Sequence, residues 1–224
     1  MKNDLSLEPV DWKTLGTHVI GVDEVGRGCL AGPVYAAAVL FRIGDPLHAV
    51  TDSKKLTEAK RDELSAKVIA THHHSIAQAS VDEIDEINIL KASLLAMRRA
   101  VETLIAQLPE DEQRDVATWP IVIDGNMKIP GLQGFNQITL VKGDLRCAPV
   151  SAASIIAKVA RDTMMKEQAT QYPGYGFEAH KGYSTAVHKD ALNRLGPCVI
   201  HRKTFGGVKE LIRASESPAS GFLV

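Results

Sequence analysis

Three stretches of the chain end alike, each a short apolar run that stops at a carboxylate. They are His18-Val19-Ile20-Gly21-Val22-Asp23-Glu24, Ile121-Val122-Ile123-Asp124 and Ile138-Thr139-Leu140-Val141-Lys142-Gly143-Asp144. Runs of this composition form strands, and residues just past the ends of side-by-side strands meet at one edge of the sheet. Four acids gathered there repel one another unless cations sit between them. Asp23, Glu24, Asp124 and Asp144 are therefore candidate oxygen ligands for a divalent metal, and sites of that kind handle phosphates. Each acid alone has a blander reading. Asp124-Gly125-Asn126 is an ordinary turn sequence, and the adjacent Asp23 and Glu24 point to opposite faces of a strand. Repetition at three strand ends carries the metal reading.

The elements that must position these acids follow from periodicity. Residues 19–22 and 34–41 read as two strands of a hairpin joined by a Gly-rich turn. Thr57 caps a helix with Leu64, Val68 and Ile69 on its inner side. A short strand at 75–80 precedes a helix capped by Asn88, whose Leu90, Leu94, Met97, Val101, Leu104 and Leu108 recur at helical spacing. The acids at 110–115 read as a surface loop. Strands at 121–123 and 137–141 follow, then a helix over about 151–168 with Ala152, Ile155, Ile156 and Val159 inward, and a short helix near 184–195. This order predicts a mixed α/β sheet with an irregular basic C-terminal part. The expected divisions are a loosely ordered lead-in at 1–17, a catalytic domain at 18–170, a basic extension at 171–214 and a flexible tail at 215–224.

Composition sets limits. The 224 residues are 45% hydrophobic, enough to bury a full core. No run is long and apolar enough to span a membrane, the acidic start does not read as a secretory signal, and three scattered cysteines suit a reducing compartment. A cytoplasmic monomer is expected. The formal net charge of −1 hides an asymmetry: residues 1–112 carry 12 Lys+Arg against 18 Asp+Glu, and residues 113–224 carry 14 against 9. An acidic half that holds metal and a basic half that holds a polyanion fit this pattern, as do ordinary solvated faces.

Other motifs also carry two readings. Gly26-Arg27-Gly28-Cys29-Leu30-Ala31 matches a dinucleotide fingerprint by letter, but Gly32-Pro33 and β-formers follow where a helix must open. What remains is a glycine-framed turn whose backbone can approach a sugar closely. His72-His73-His74 reads as a solvated cluster, and His180, His188 and His201 as surface or phosphate-contacting residues. Tyr175, Phe177 and Tyr183, interleaved with cations, have the composition of a nucleic-acid surface, with a small aromatic core as the alternative for Tyr175 and Phe177.

Taken together, the segments 21–28, 52–56, 123–126, 142–144, 151–158 and 180–183 resemble type 2 ribonuclease H, the ribonuclease HII of bacteria, in the right order across about 19–207. Cys29 and Gly207 stand where that family commonly has Pro. The resemblance implies a ribonuclease H-like mixed five-stranded sheet flanked by helices, with a helical C-terminal extension. It implies Mn²⁺ or Mg²⁺, and as partners RNA–DNA hybrids and ribonucleotide-containing DNA, cut to leave 3′-hydroxyl and 5′-phosphate ends. Its catalytic acids fall on Asp23, Glu24, Asp124 and Asp144. Its 2′-hydroxyl-reading turn falls on Gly26, Arg27 and Gly28, and its deoxyribose-stacking tyrosine on Tyr183. Lys54, Lys55 and Lys181 are the expected phosphate contacts. The rival readings are a noncatalytic nucleic-acid-binding domain and a metal-dependent phosphatase of small substrates.

Overall fold

The computed structural model of the chain describes residues 8–46 and 56–216. Five strands, β1 (His18–Val25), β2 (Val34–Arg42), β3 (His74–Ala79), β4 (Ile121–Asp124) and β5 (Gln137–Leu140), form one sheet in the order β3-β2-β1-β4-β5. The helices are α1 (Glu58–Thr71), α2 (Val81–Ile87), α3 (Ile89–Ala106), α4 (Glu110–Asp115), α5 (Gly143–Arg146), α6 (Ala148–Gln171), α7 (Phe177–His180), α8 (Ala186–Leu195) and α9 (Lys209–Glu216). The architecture is the expected mixed α/β sheet.

β1 and β2 pair antiparallel from His18↔Arg42 to Val25↔Tyr35, as the hairpin reading requires. β1 and β4 run parallel, as do β4 and β5. β4 is buried through Ile121, Val122 and Ile123, and a strand between two parallel neighbours reads as an unbroken apolar run for that reason.

The chain divides into two compact units. The first comprises the described parts of Met1–Val25, Tyr35–Gln78 and Ser93–Ala160; the second comprises Gly26–Val34, Ala79–Ala92 and the described part of Arg161–Val224. In the first, one face of the sheet (Val19, Ala37, Val39, Phe41, Val122) packs on Val150, Ala152, Ala153, Ile156 and Ala157 of α6. Gly21 lies on that same face. A Cβ there would stand 2.1 Å from the Pro149 carbonyl carbon, so only glycine lets β1 lie against the first turn of α6. In the second unit Met165, Tyr175, Phe177 and Ala191 form one small core and Leu30, Leu192 and Val208 another.

Several expectations are corrected. Trp12 is buried and meets Phe41 edge-on at 5.5 Å, so part of the expected loose lead-in is anchored on the core. Ile69 and Leu90 are exposed: each lies at the margin of its helix's inner stripe, and Ser65 is buried on α1 instead. The acids at 110–115 form a helix, with Glu110, Asp111 and Glu112 in its first turn, where they oppose the positive end of the helix dipole. α2 was not anticipated, although Ser80 and Glu83 make a capping box. α6 starts at Ala148 because a proline is tolerated in a first helical turn. α9 continues to Glu216, one residue past the expected start of the tail. No helix among the described residues is long and apolar enough to cross a membrane.

Candidate active site

The acids belong to the first unit. β1 and β4 are in parallel register through Val22↔Ile123, so Asp23 and Asp124 occupy the next position on adjacent strands, whose spacing is about 4.8 Å. They share the face turned to α6, with Gly21 and Val122 behind them. Asp124 Oδ1 accepts from the Gly143 amide at 2.7 Å. This bond ties the end of β4 to α5, whose second residue is Asp144, and the Ser151 hydroxyl of α6 donates to the Asp144 carbonyl at 2.7 Å. Asp23 Oδ1 accepts from the Glu24 amide at 2.7 Å, and Ser154 hydrogen-bonds the Asp23 side chain.

The other three acids bear electrostatically on Asp23. Asp23 is 4% exposed, and burial holds its carboxyl well above the usual carboxylate range, with Glu24, Asp124 and Asp144 pushing it further the same way. Ser154 opposes the shift by hydrogen-bonding the charged form. Among the described residues no three His, Cys, Asp or Glu side chains are already drawn into a ready-made metal cage. The donor chemistry still fits a hard divalent cation. Mg²⁺-type ions keep several waters and need only one or two carboxylates, and a cation would relieve the repulsion that Asp23 records. With no thiolate or imidazole in the set, Zn²⁺ does not fit.

A cleft of about 430 Å³ is lined by Leu15, His18, Asp111, Trp119 and Pro120 among others. It lies where β1 and β4 begin, and the acids lie where they end. That cleft does not include the four acids.

In the second unit, the turn Gly26-Arg27-Gly28 runs beside Tyr183 through a bridge between Cys29 and Tyr183. Gly26 has φ +96°, a backbone state that favours glycine. Arg27 and Gly28 are exposed, and the Tyr183 ring is 36% exposed with the Arg161 guanidinium 5.8 Å from its centroid. Lys181 is buried, and its ammonium donates to the Glu178 carbonyl. Lys54 and Lys55 lie outside the described residues.

The histidines are also corrected. His72 is buried against Phe41 with ring centroids 4.2 Å apart. His180, His188 and His201 are buried, neither surface-exposed nor free for phosphate. His188 Nδ1 donates to the Tyr183 carbonyl at 2.9 Å. His188 Nε2 and His201 Nε2 share one proton across 3.1 Å, and His201 Nδ1 accepts from the Cys198 amide at 2.9 Å. Tyr175 and Phe177 stack at 5.2 Å beside them, so the aromatic-core alternative holds for that pair.

Burial, with His188 and His180 nearby, pushes His201 down to about 4. A histidine whose folded value is depressed leaves stability intact above its unfolded value of about 6.5 and removes it as pH falls toward the folded value. The expected loss on going from pH ~7.5 to ~5 is about 2 kcal/mol from this group. Urea midpoints at the two pH values should separate for the wild type and draw together in His201→Gln. An equal separation in both proteins would show that His201 does not control acid stability.

Sequence reasoning missed Ser154, Arg161 and Arg202. Ser154 was detectable as a polar residue, one turn from Ser151, within an apolar helix face. The two arginines gave no signal, because a buried Arg and a surface Arg look alike in a basic segment.

A sheet of this order carrying carboxylates at the ends of its central strands defines a ribonuclease H-like protein. The Ribonuclease HII family profile matches residues 20–208. Ribonuclease HII of Geotalea uraniireducens is 47% identical over 199 residues, covering 88% of this chain and 87% of the relative. The ribonuclease H2 of Pyrococcus horikoshii superposes with a TM-score of 0.66 at 25% identity, covering 89% of this chain and 100% of that one. Bst-RNase HIII in complex with Mn²⁺ gives a TM-score of 0.68 at 19% identity, covering 91% of this chain and 72% of that one, and shares the fold. The chain belongs to the ribonuclease HII family and is a ribonuclease H enzyme.

Proposed function

We propose that this enzyme hydrolyses the RNA strand of RNA–DNA hybrids and cuts on the 5′ side of single ribonucleotides embedded in duplex DNA, leaving 3′-hydroxyl and 5′-phosphate ends. The observation that carries the reading is the convergence of Glu24, Asp124 and Asp144 on the buried Asp23. Asp23, Glu24, Asp124 and Asp144 would hold two Mn²⁺ or Mg²⁺ ions. When bound, such ions activate water and neutralise charge on the transferring phosphate. The protein's own part is to aim the carboxylates. The Gly143 amide fixes Asp124, the Glu24 amide and Ser154 fix Asp23, and Ser151 anchors the backbone that carries Asp144.

Substrate choice is assigned to the second unit. A 2′-hydroxyl is the local mark that separates RNA from DNA, and the Gly26-Arg27-Gly28 turn, with a glycine on each side of Arg27, would offer backbone to it. Tyr183, bridged to Cys29 beside this turn, would stack on the following deoxyribose. Tyr183→Ala is expected to lower cleavage at a lone ribonucleotide by about tenfold, the equivalent of a ~1.4 kcal/mol stacking contact. Cleavage within a long RNA tract should change much less. Equal losses on both substrates would remove the junction-reading role.

A labelled duplex with one ribonucleotide, incubated with Mn²⁺ and separately with EDTA, tests the whole reading. Metal-dependent nicking 5′ of the ribonucleotide supports it. Hydrolysis of small phosphate esters without nicking would favour the phosphatase reading.

A further inference from the structure

Two arginines in the second unit, Arg161 and Arg202, are fully buried, yet among the described residues neither forms an ion pair that would explain a buried charge. Their donors go to backbone carbonyls. Arg202 Nη2 donates to the Gly26 carbonyl at 2.7 Å, Nη1 to the Arg27 carbonyl at 2.8 Å and Nε to the Gly32 carbonyl at 2.9 Å. Arg161 donates to the carbonyls of Ala31 at 3.0 Å, Pro33 at 3.1 Å and Lys181 at 2.9 Å. The six bonds hold the loop from Gly26 to Pro33 and the backbone just before Tyr183. A Cβ on Gly26 would lie 2.2 Å from Arg161 Nε, so that glycine makes room for the clamp as well as the turn. Only a guanidinium has the planar fork to satisfy several carbonyls at once.

Peptide planarity converts this into a statement about substrate. In a trans peptide the C=O and the following N–H point in opposite directions. Capture of the Arg27 carbonyl by Arg202 therefore turns the Gly28 amide away from the guanidinium, on an exposed residue around which a Cβ would meet nothing within 4 Å. We propose that Arg202, backed by Arg161, is a positioning residue that fixes the Gly28 amide outward as a donor for a ribose 2′-oxygen. This rests on the ribose-reading role given above to the turn. Arg202 touches no substrate and acts through the carbonyls it holds.

The test is binding of two duplexes, one all-deoxy and one with a single ribonucleotide, with Ca²⁺ in place of a catalytic metal. The wild type should prefer the ribonucleotide duplex by about tenfold, the worth of one well-placed hydrogen bond. Arg202→Lys keeps the charge but cannot span three carbonyls; it should reduce that preference to within about twofold while binding the all-deoxy duplex as before. A folded Arg202→Lys protein with the full preference would overturn the positioning role. A wild type without preference would instead overturn the ribose-reading function itself. Should the variant not fold, amide exchange in the wild type decides: the Gly28 amide should exchange fast alone and become protected by the ribonucleotide duplex only. Protection without ligand, or equal protection by both duplexes, would contradict the proposal.

Discussion

Asp23→Asn is expected to abolish cleavage and, at the same time, to make the metal-free protein more stable. The activity loss should reach roughly 10³-fold, the rate equivalent of about 4 kcal/mol of lost charge stabilisation. The stability gain follows from the sign of the shift. Burial, and then Glu24 and Asp124, hold the Asp23 carboxyl above its ordinary value. Ionising it in the folded state therefore opposes folding. In EDTA the wild type should lose stability as pH rises from the unfolded carboxylate value through the raised folded value, then level off. Asn is nearly isosteric and carries no charge, so this slope should shrink and the neutral-pH melting temperature should rise by about 2–4 °C. Melting curves in EDTA across the acid-to-neutral range, with cleavage assays beside them, check both halves. An Asn variant that is less stable than wild type in EDTA, or that still cuts at the wild-type rate, would refute the assignment.

Gly21→Ala is expected to have the largest effect on folding of any single methyl addition in the first unit. The new Cβ would sit 2.1 Å from the Pro149 carbonyl carbon, 2.3 Å from its oxygen and 2.4 Å from the Val150 nitrogen. All three atoms are backbone at the start of α6, so no rotamer change can relieve the overlap. Relief requires α6 to move off the sheet, breaking the packing of Val150, Ala153 and Ile156. The destabilisation should exceed about 3 kcal/mol, at the far end of overpacking penalties. Gly28→Ala is the control: nothing lies within 4 Å of its Cβ, and it should melt close to wild type. A soluble Gly21→Ala protein with a wild-type melting temperature would show that the sheet and α6 are not in the contact described.

The acid-bearing end of this fold was readable in the sequence because strands announce themselves by composition. Ile121-Val122-Ile123 is buried between parallel neighbours and is unbrokenly apolar for that reason, so the position of Asp124 followed. The position of Asp23 followed in the same way, whereas Asp144, read as the end of a strand, lies past β5 in α5. What the pattern could not supply was the arrangement behind them. Gly21 looked like one more small residue in a strand, and its meaning is a close approach by α6. The errors on the helices share a cause: Ile69 and Leu90 sit at stripe margins, where periodicity alone assigns a face too generously. His180, His188 and His201 were misplaced because imidazoles that satisfy one another need no water, and composition cannot show mutual satisfaction. Arg202 was hidden for the same reason, its charge being spread over the carbonyls of Gly26, Arg27 and Gly32.

The central claim is that carboxylates from separate strand ends act as one divalent-cation site. Mn²⁺ titration followed by the paramagnetic signal of the free ion tests it most directly, on wild type and Asp124→Asn. The wild type should remove Mn²⁺ from solution, and Asp124→Asn, which retains the backbone fold but loses the charge beside Asp23, should remove much less. Equal uptake by both proteins, or none by the wild type in the presence of duplex, would contradict it.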